Sequence, residues 1–159
     1  MQSFGSTTFQ FCGAAENAQI LVEGSVDFVT LANNHTLDFG ETGLENTKKS
    51  LDAVGVPCAG PNESYVYSRD DGIVVGLYAA RWLAGEAEIR AGVSALAERE
   101  DIDLVICLMH WGLEGSYRVT ESQKQLGRAA IDAGADIVYG SHPHVLQQID
   151  EYNGGYIVN

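Results

Sequence analysis

Four histidines carry most of the chemistry this sequence can offer. Two of them flank a proline in Gly140-Ser141-His142-Pro143-His144, directly after a strand-like run at residues 135–139. A strand end followed by Gly-Ser is a place where backbone can turn sharply and present side chains to a cleft. Pro143 fixes its own φ and biases His142 toward extended backbone. Residues i and i+2 of extended chain share a face, so His142 and His144 are expected to converge on one object. Imidazole is the commonest metal ligand, which makes a metal ion the leading candidate for that object. The competing reading is a pair of histidines on a surface loop.

The other two histidines strengthen the first reading. His35 follows an apolar run at residues 28–32, and His110 follows one at residues 104–109. Every histidine therefore falls at the end of an expected strand. In an open α/β sheet, functional groups gather outside the carboxyl ends of the strands. If the three strands are parallel neighbours, all four imidazoles share one edge of the sheet. His110, His142 and His144 then supply nitrogen ligands, and the Asn34 carboxamide adds a hard oxygen. Such a mixed set suits Mn, Fe or Zn better than Ca or Mg. His35, next to a ligand, is placed to act as a general acid. A second ion would need bridging carboxylates. Asp38 and Glu114 lie near the histidines in sequence, and neither has an obvious bridging position. Each residue also has a plainer reading. His110 can be a packed histidine with a satisfied ring, and His35 can bond to a backbone carbonyl. Asn33 and Asn34 can be ordinary turn residues. Met109 and Trp111 read as core or cleft wall.

The elements that must position these groups are legible from patterning. Residues 14–23 are expected to form a helix with Ala14, Ala18, Leu21 and Val22 on one face. A strand is expected at residues 26–32 and a helix at residues 41–54, closed by Gly55 and Pro57. Residues 56–59 are expected to form a short strand. Residues 65–69 and 72–79 read as a hairpin around Asp70-Asp71-Gly72. Ile89, Val93 and Leu96 give residues 86–99 a helical face. Residues 103–109, apolar almost throughout, read as a central strand covered on both faces. Thr120-Glu121-Ser122-Gln123 is a capping box opening a helix that Gly134 ends. Residues 156–159 read as a last strand. Alternating strands and helices give an α/β fold with a mixed, largely parallel sheet flanked by helices.

Composition narrows the class. A chain of 159 residues, 45% hydrophobic and 19% charged, suits one globular domain with a real core. The net charge of −13 and a pI near 4.4, with basic residues scattered, argue against binding nucleic acid or anionic lipid. No apolar run is long enough for a transmembrane helix, and residues 1–6 do not resemble a signal peptide. Cys12, Cys58 and Cys107 give neither a CxxC site nor a disulfide framework, and Cys107 reads as a small core residue.

Three blocks together resemble the CapA/PgsA family of capsule and poly-γ-glutamate biosynthesis proteins. The first runs through Leu31-Ala32-Asn33-Asn34-His35-Thr36-Leu37-Asp38-Phe39-Gly40 to Gly43-Leu44. The second is Met109-His110-Trp111-Gly112-Leu113-Glu114. The third runs from Asp132 through Gly140-Ser141-His142-Pro143-His144 to Val145. That family looks like a branch of the calcineurin-like metallophosphoesterases, which implies that the chain is part of their sandwich fold. The resemblance implies Asn34, His110, His142 and His144 as metal ligands and His35 as the proton donor. It also implies a divalent ion (Mn, Fe or Zn), with a second one in longer relatives.

The family normally opens with a strand ending in Gly-Asp and then an Asn-Leu-Glu block, and it continues into a Ser-Leu-Gly-Asn-Phe block. These are missing, and Gly115 stands where the family often has Tyr. Residues 1–159 are therefore expected to be a single domain truncated at both ends. Two functions compete. One is a metal-dependent hydrolase-like domain of phosphoesterase type serving capsule biosynthesis. The other is a non-catalytic subunit of an envelope polymer synthesis and export complex. Poly-γ-glutamate or other capsule-synthesis subunits are the implied partners. The implied location is extracytoplasmic, at the cell membrane, with no membrane segment within the chain itself.

Overall fold

The computed structural model describes residues 9–81 and 83–159. The expectations for residues 1–6 lie outside them. The chain divides into two compact units, one of Met1–Phe28 with His35–Pro57 and the other of Val29–Asn34 with Cys58–Asn159.

In the first unit a 3-10 turn at Ala15–Ala18 runs into α1 (Gln19–Glu23). The helix expected over residues 14–23 is thus broken into two short pieces that bury no residue fully, and Val22 lies exposed. Segments this short gain little from helical hydrogen bonding alone. α2 (Gly40–Asp52) buries Leu44 and Leu51 and ends before Gly55, whose φ of +73° reverses the chain.

The second unit is built on a six-stranded sheet. Its strands are β3 (Glu63–Ser68), β4 (Val74–Ala79), β5 (Leu104–His110), β6 (Ile137–Ser141), β7 (Ile149–Tyr152) and β8 (Gly155–Val158), arranged in the order β3-β4-β5-β6-β8-β7. The four central strands are parallel, and β3 and β7 pair antiparallel at the two edges. The expected mixed, largely parallel sheet flanked by helices is therefore present. Aspartates fix the register at the strand starts. Asp103 Oδ2 accepts from Val74 N at 2.8 Å, and Asp136 Oδ2 accepts from Val105 N at 2.8 Å.

β1 (Val29–Thr30) and β2 (Cys58–Ala59) form a separate parallel pair in the same unit. The strand expected over residues 26–32 is only two residues long. Its partner lies between Pro57 and Gly60-Pro61, where proline offers no donor to extend the ladder.

α3 (Glu86–Ala97) and α4 (Glu121–Asp132) cover one face of the six-stranded sheet. Ile89, Val93 and Leu96 pack there with Tyr78, Val105, Cys107, Met109, Val138 and Ile157. The other face differs from expectation. Along β5, Val105, Cys107 and Met109 are buried, while Leu104, Ile106, Leu108 and His110 are only half-buried. Pairing sets Tyr139 beside Leu108 and Tyr156 beside Ile137 on that second face, and both tyrosines are about half exposed. Uninterrupted apolar sequence in β5 therefore does not mean equal burial on both faces.

Burial also decides thiol chemistry. The Cys107 thiol, enclosed in the core, is pushed up to about 12, whereas Cys12 is exposed. In the native protein Cys12 is expected to react rapidly with a disulfide reagent, and Cys107 only after denaturation. Equal rates in a timed thiol assay would contradict the packing of this core.

Candidate metal centre

Parallel pairing of β5 and β6 sets His110 directly beside Ser141 at the carboxyl ends of both strands. His110 Nδ1 lies 3.0 Å from Ser141 Oγ, and that hydroxyl donates to Met109 O at 3.1 Å. A serine hydroxyl has one hydrogen, so when it serves Met109 O, His110 Nδ1 is the donor to Ser141 Oγ. In the neutral ring this leaves a lone pair on Nε2. Nε2 faces Asn34 Oδ1 at 2.9 Å. Two acceptors then oppose each other at hydrogen-bond distance. A cation held by both removes the conflict, as does a protonated ring, an Asn34 amide turned end for end, or the other neutral tautomer, in which Ser141 donates to Nδ1 and Nε2 donates to Asn34. A donor nitrogen and a carboxamide oxygen this close fit one ion with bonds of about 2.1 Å. Ser141 would then be the partner that orients the ring.

The His142 ring lies 4.6 Å from that of His110, and the His144 ring lies 6.1 Å from that of His142, centroid to centroid. Asn34, His110, His142 and His144 are thus brought together within the second unit. The backbone that does this is not the expected extended one. His142 has φ +98° and His144 has φ +58°. The i, i+2 argument is therefore corrected: the two rings are set by left-handed backbone, a region non-glycine residues enter at a cost. His110 is also the last residue of β5, not the residue after it.

A second loop meets this one. Gly115 N donates to Pro143 O at 2.7 Å. Positive φ at Gly112 (+86°) and Gly115 (+70°) lets residues 112–115 fold back. Potential ligand atoms of Glu114, His142 and His144 lie within 4.8 Å of one another, the one such trio of His, Cys, Asp or Glu found among the described residues. Gln123 ties the loops to α4. Its Oε1 accepts from Thr120 N at 3.0 Å, completing the expected capping box. Its Nε2 donates to Gln147 Oε1 at 2.8 Å, and Gln147 Nε2 donates to Ser116 O at 2.7 Å. Gln123 is only 1% exposed, so its own side-chain amide is shielded from water while Gln147 is half-buried.

His35 belongs to the first unit. Its Nδ1 pairs with Asp38 Oδ2 at 3.0 Å, and that same oxygen accepts from Phe11 N at 2.8 Å. The Phe11 ring meets the imidazole edge-on at 4.5 Å. A carboxylate on Nδ1 orients the ring and assigns proton exchange to Nε2. A cleft of about 780 Å³ in this unit is lined by His35, Asp38, Leu21, Thr47 and Leu51, among others. Ser141, Asp38, Gln123 and Gln147 have supporting roles that the sequence reading does not assign. Ser141 sits inside the histidine motif, and Asp38 is three residues after His35, so those two carried a local signal. The Gln123–Gln147 contact carried none.

Residues 2–158 match the family described as "Bacterial capsule synthesis protein PGA_cap". The "PGA biosynthesis protein CapA" of Bacillus subtilis is 29% identical over 163 residues, covering 89% of this chain and 43% of that protein. The "Capsule biosynthesis protein CapA" of Bacillus anthracis is 30% identical over 166 residues, covering 89% and 40%. A "Probable polyglutamine synthesis accessory protein" of Mycobacterium tuberculosis is 29% identical over 155 residues, covering 78% and 41%. The chain spans about two fifths of the length of these relatives.

Proposed function

Because this chain belongs to the PGA_cap family of bacterial capsule synthesis proteins, we propose that it carries the metal-ligating part of a hydrolase-like, phosphoesterase-type site used in capsule or poly-γ-glutamate biosynthesis. The observation that carries this reading is the convergence of His110 Nε2 and Asn34 Oδ1, 2.9 Å apart, beside the His142 ring. Asn34, His110, His142 and His144 hold a divalent ion, Mn, Fe or Zn. When bound, such an ion polarises a phosphoryl or acyl oxygen and makes water more acidic. Ser141 keeps the His110 ring in the tautomer that presents Nε2. His35 serves as the proton donor, with Asp38 holding its Nδ1.

A second reading, a non-catalytic subunit of an envelope assembly, draws support from the half-exposed Tyr139 and Tyr156 on the sheet. Capsule-synthesis subunits would be the partners there. The charge of −13 disfavours unaided binding of a polyanion such as polyglutamate. No helix among the described residues is long and apolar enough to cross a membrane. In either reading the protein works outside the cytoplasm, at the cell membrane.

Calorimetric titration of the chain with Mn²⁺ and Zn²⁺ tests the first reading, together with a phosphoesterase screen on a full-length relative. Binding is expected in the parent chain, to weaken in acid as imidazoles take up protons. It should be lost in His110→Ala and kept in His35→Ala, whose counterpart in the relative should lose turnover. Unchanged affinity in His110→Ala, or loss of binding in His35→Ala, would overturn these roles.

A further inference from the structure

We propose that Glu114 is itself a metal ligand, forming with His142 and His144 a two-imidazole, one-carboxylate site carried entirely by two loops. This rests on the metal reading above and changes its ligand set. Three observations converge. The ligand atoms of the three side chains lie within 4.8 Å of one another with no strand interposed. The loops that carry them are fastened together, since Gly115 N, one residue from Glu114, donates to Pro143 O between the two histidines at 2.7 Å. The backbone of the histidine loop is held in the left-handed region at His142 and His144, both non-glycine. Strain of this kind persists where the surroundings over-determine it, and it concentrates at ligand clamps.

The chemistry suits the same ions. Imidazoles combined with one carboxylate are a common protein set for catalytic zinc-type sites, which leave a position for water or substrate. The carboxylate also supplies the negative charge that the Asn34–His110 pair lacks. The His110 ring adjoins that of His142 at 4.6 Å, so Glu114 adds a carboxylate to the cluster that His110 and Asn34 flank. The partly buried Gln123–Gln147 bond holds both loops from behind, through Ser116 O.

Zinc titration of the chain, read by calorimetry, tests the assignment with two variants. Glu114 is exposed, so neither substitution is expected to alter folding. Glu114→Gln keeps shape and removes the charged oxygen. Its affinity should fall at least by the roughly 10–100-fold that loss of an outer-shell partner costs a metal site. Glu114→Asp keeps the charge and shortens the reach, so it should also weaken binding, which long-range attraction alone would not do. Zinc affinity within twofold of the parent in either variant would overturn the role of Glu114 and leave the histidine site standing. No binding by the parent chain of either zinc or manganese would overturn both.

Discussion

Replacing His142 by glycine is expected to abolish metal binding and, at the same time, to make the metal-free protein more stable. The two effects have separate causes, the lost imidazole and the relieved backbone. His142 sits at φ +98° immediately before Pro143, in backbone that a residue with a Cβ adopts only under constraint. Such a residue costs on the order of 1–3 kcal/mol. Glycine removes that cost but adds about 0.4–1 kcal/mol of unfolded-state entropy, so a net gain of about 1 kcal/mol is expected. His142→Ala loses the same imidazole and keeps the strain, so it should lose binding without gaining stability. Urea denaturation of the metal-free parent and both variants, paired with zinc titration, separates the two terms. A glycine variant no more stable than the alanine variant would mean that the turn is unstrained. Zinc affinity retained by the glycine variant would mean that His142 is not a ligand.

That strain marks where sequence reasoning stopped. The strands and helices of the second unit were legible because each rests on local pattern. The Asp70-Asp71-Gly72 turn between β3 and β4, the spacing of Ile89, Val93 and Leu96, and the box formed by Thr120 and Gln123 are all short-range signals. β7 was not anticipated, although Asn153-Gly154 with φ +45° and +83° is the kind of two-residue turn that joins antiparallel strands. The turn was readable, but its first strand, Ile149-Asp150-Glu151-Tyr152, is half acidic and hides its period. Grouping His110 with His142 and His144 at strand ends followed from the rule for parallel sheets, and the structure places them there. The backbone at His142 and His144 could not be read, because Pro143 argues locally for extended chain and the Gly115–Pro143 hydrogen bond that opposes it comes from another loop. Glu114 was visible as a nearby acid but had no position until that bond was known. The uneven burial of β5 was hidden for a similar reason: sequence reports hydrophobicity on both faces and not what covers either one.

Trp111 is expected to be the largest single contributor to stability near the site. It follows His110 directly, is 5% exposed, and donates its backbone N–H to Ser141 O at 3.0 Å. Its ring occupies space that two glycines leave open. A Cβ on Gly140 would fall 2.3 Å from the indole Nε1, and one on Gly127 would fall 3.3 Å from the far edge of the ring. Gly140 is thus required by the close approach of Trp111 and not by its own backbone angles. Because neither glycine can extend a side chain into a vacated site, the cavity left by Trp111→Ala should collapse poorly. A loss of about 3–5 kcal/mol is expected, at the level of other buried Trp truncations. Trp111→Phe should behave differently. The indole N–H is buried without a hydrogen-bond partner, a condition that costs about 1–3 kcal/mol. Phenylalanine gives up volume but removes that donor, so the two terms partly cancel and a loss under about 2 kcal/mol is expected. The site should report the same difference, since His110 and Ser141 lean on this ring through the backbone. Zinc affinity should fall in the alanine variant and stay near the parent value in the phenylalanine variant. Denaturation midpoints and zinc titrations of the two variants give both readouts. If Trp111→Phe proves as destabilising as Trp111→Ala, the unpartnered N–H is not a cost the native protein bears.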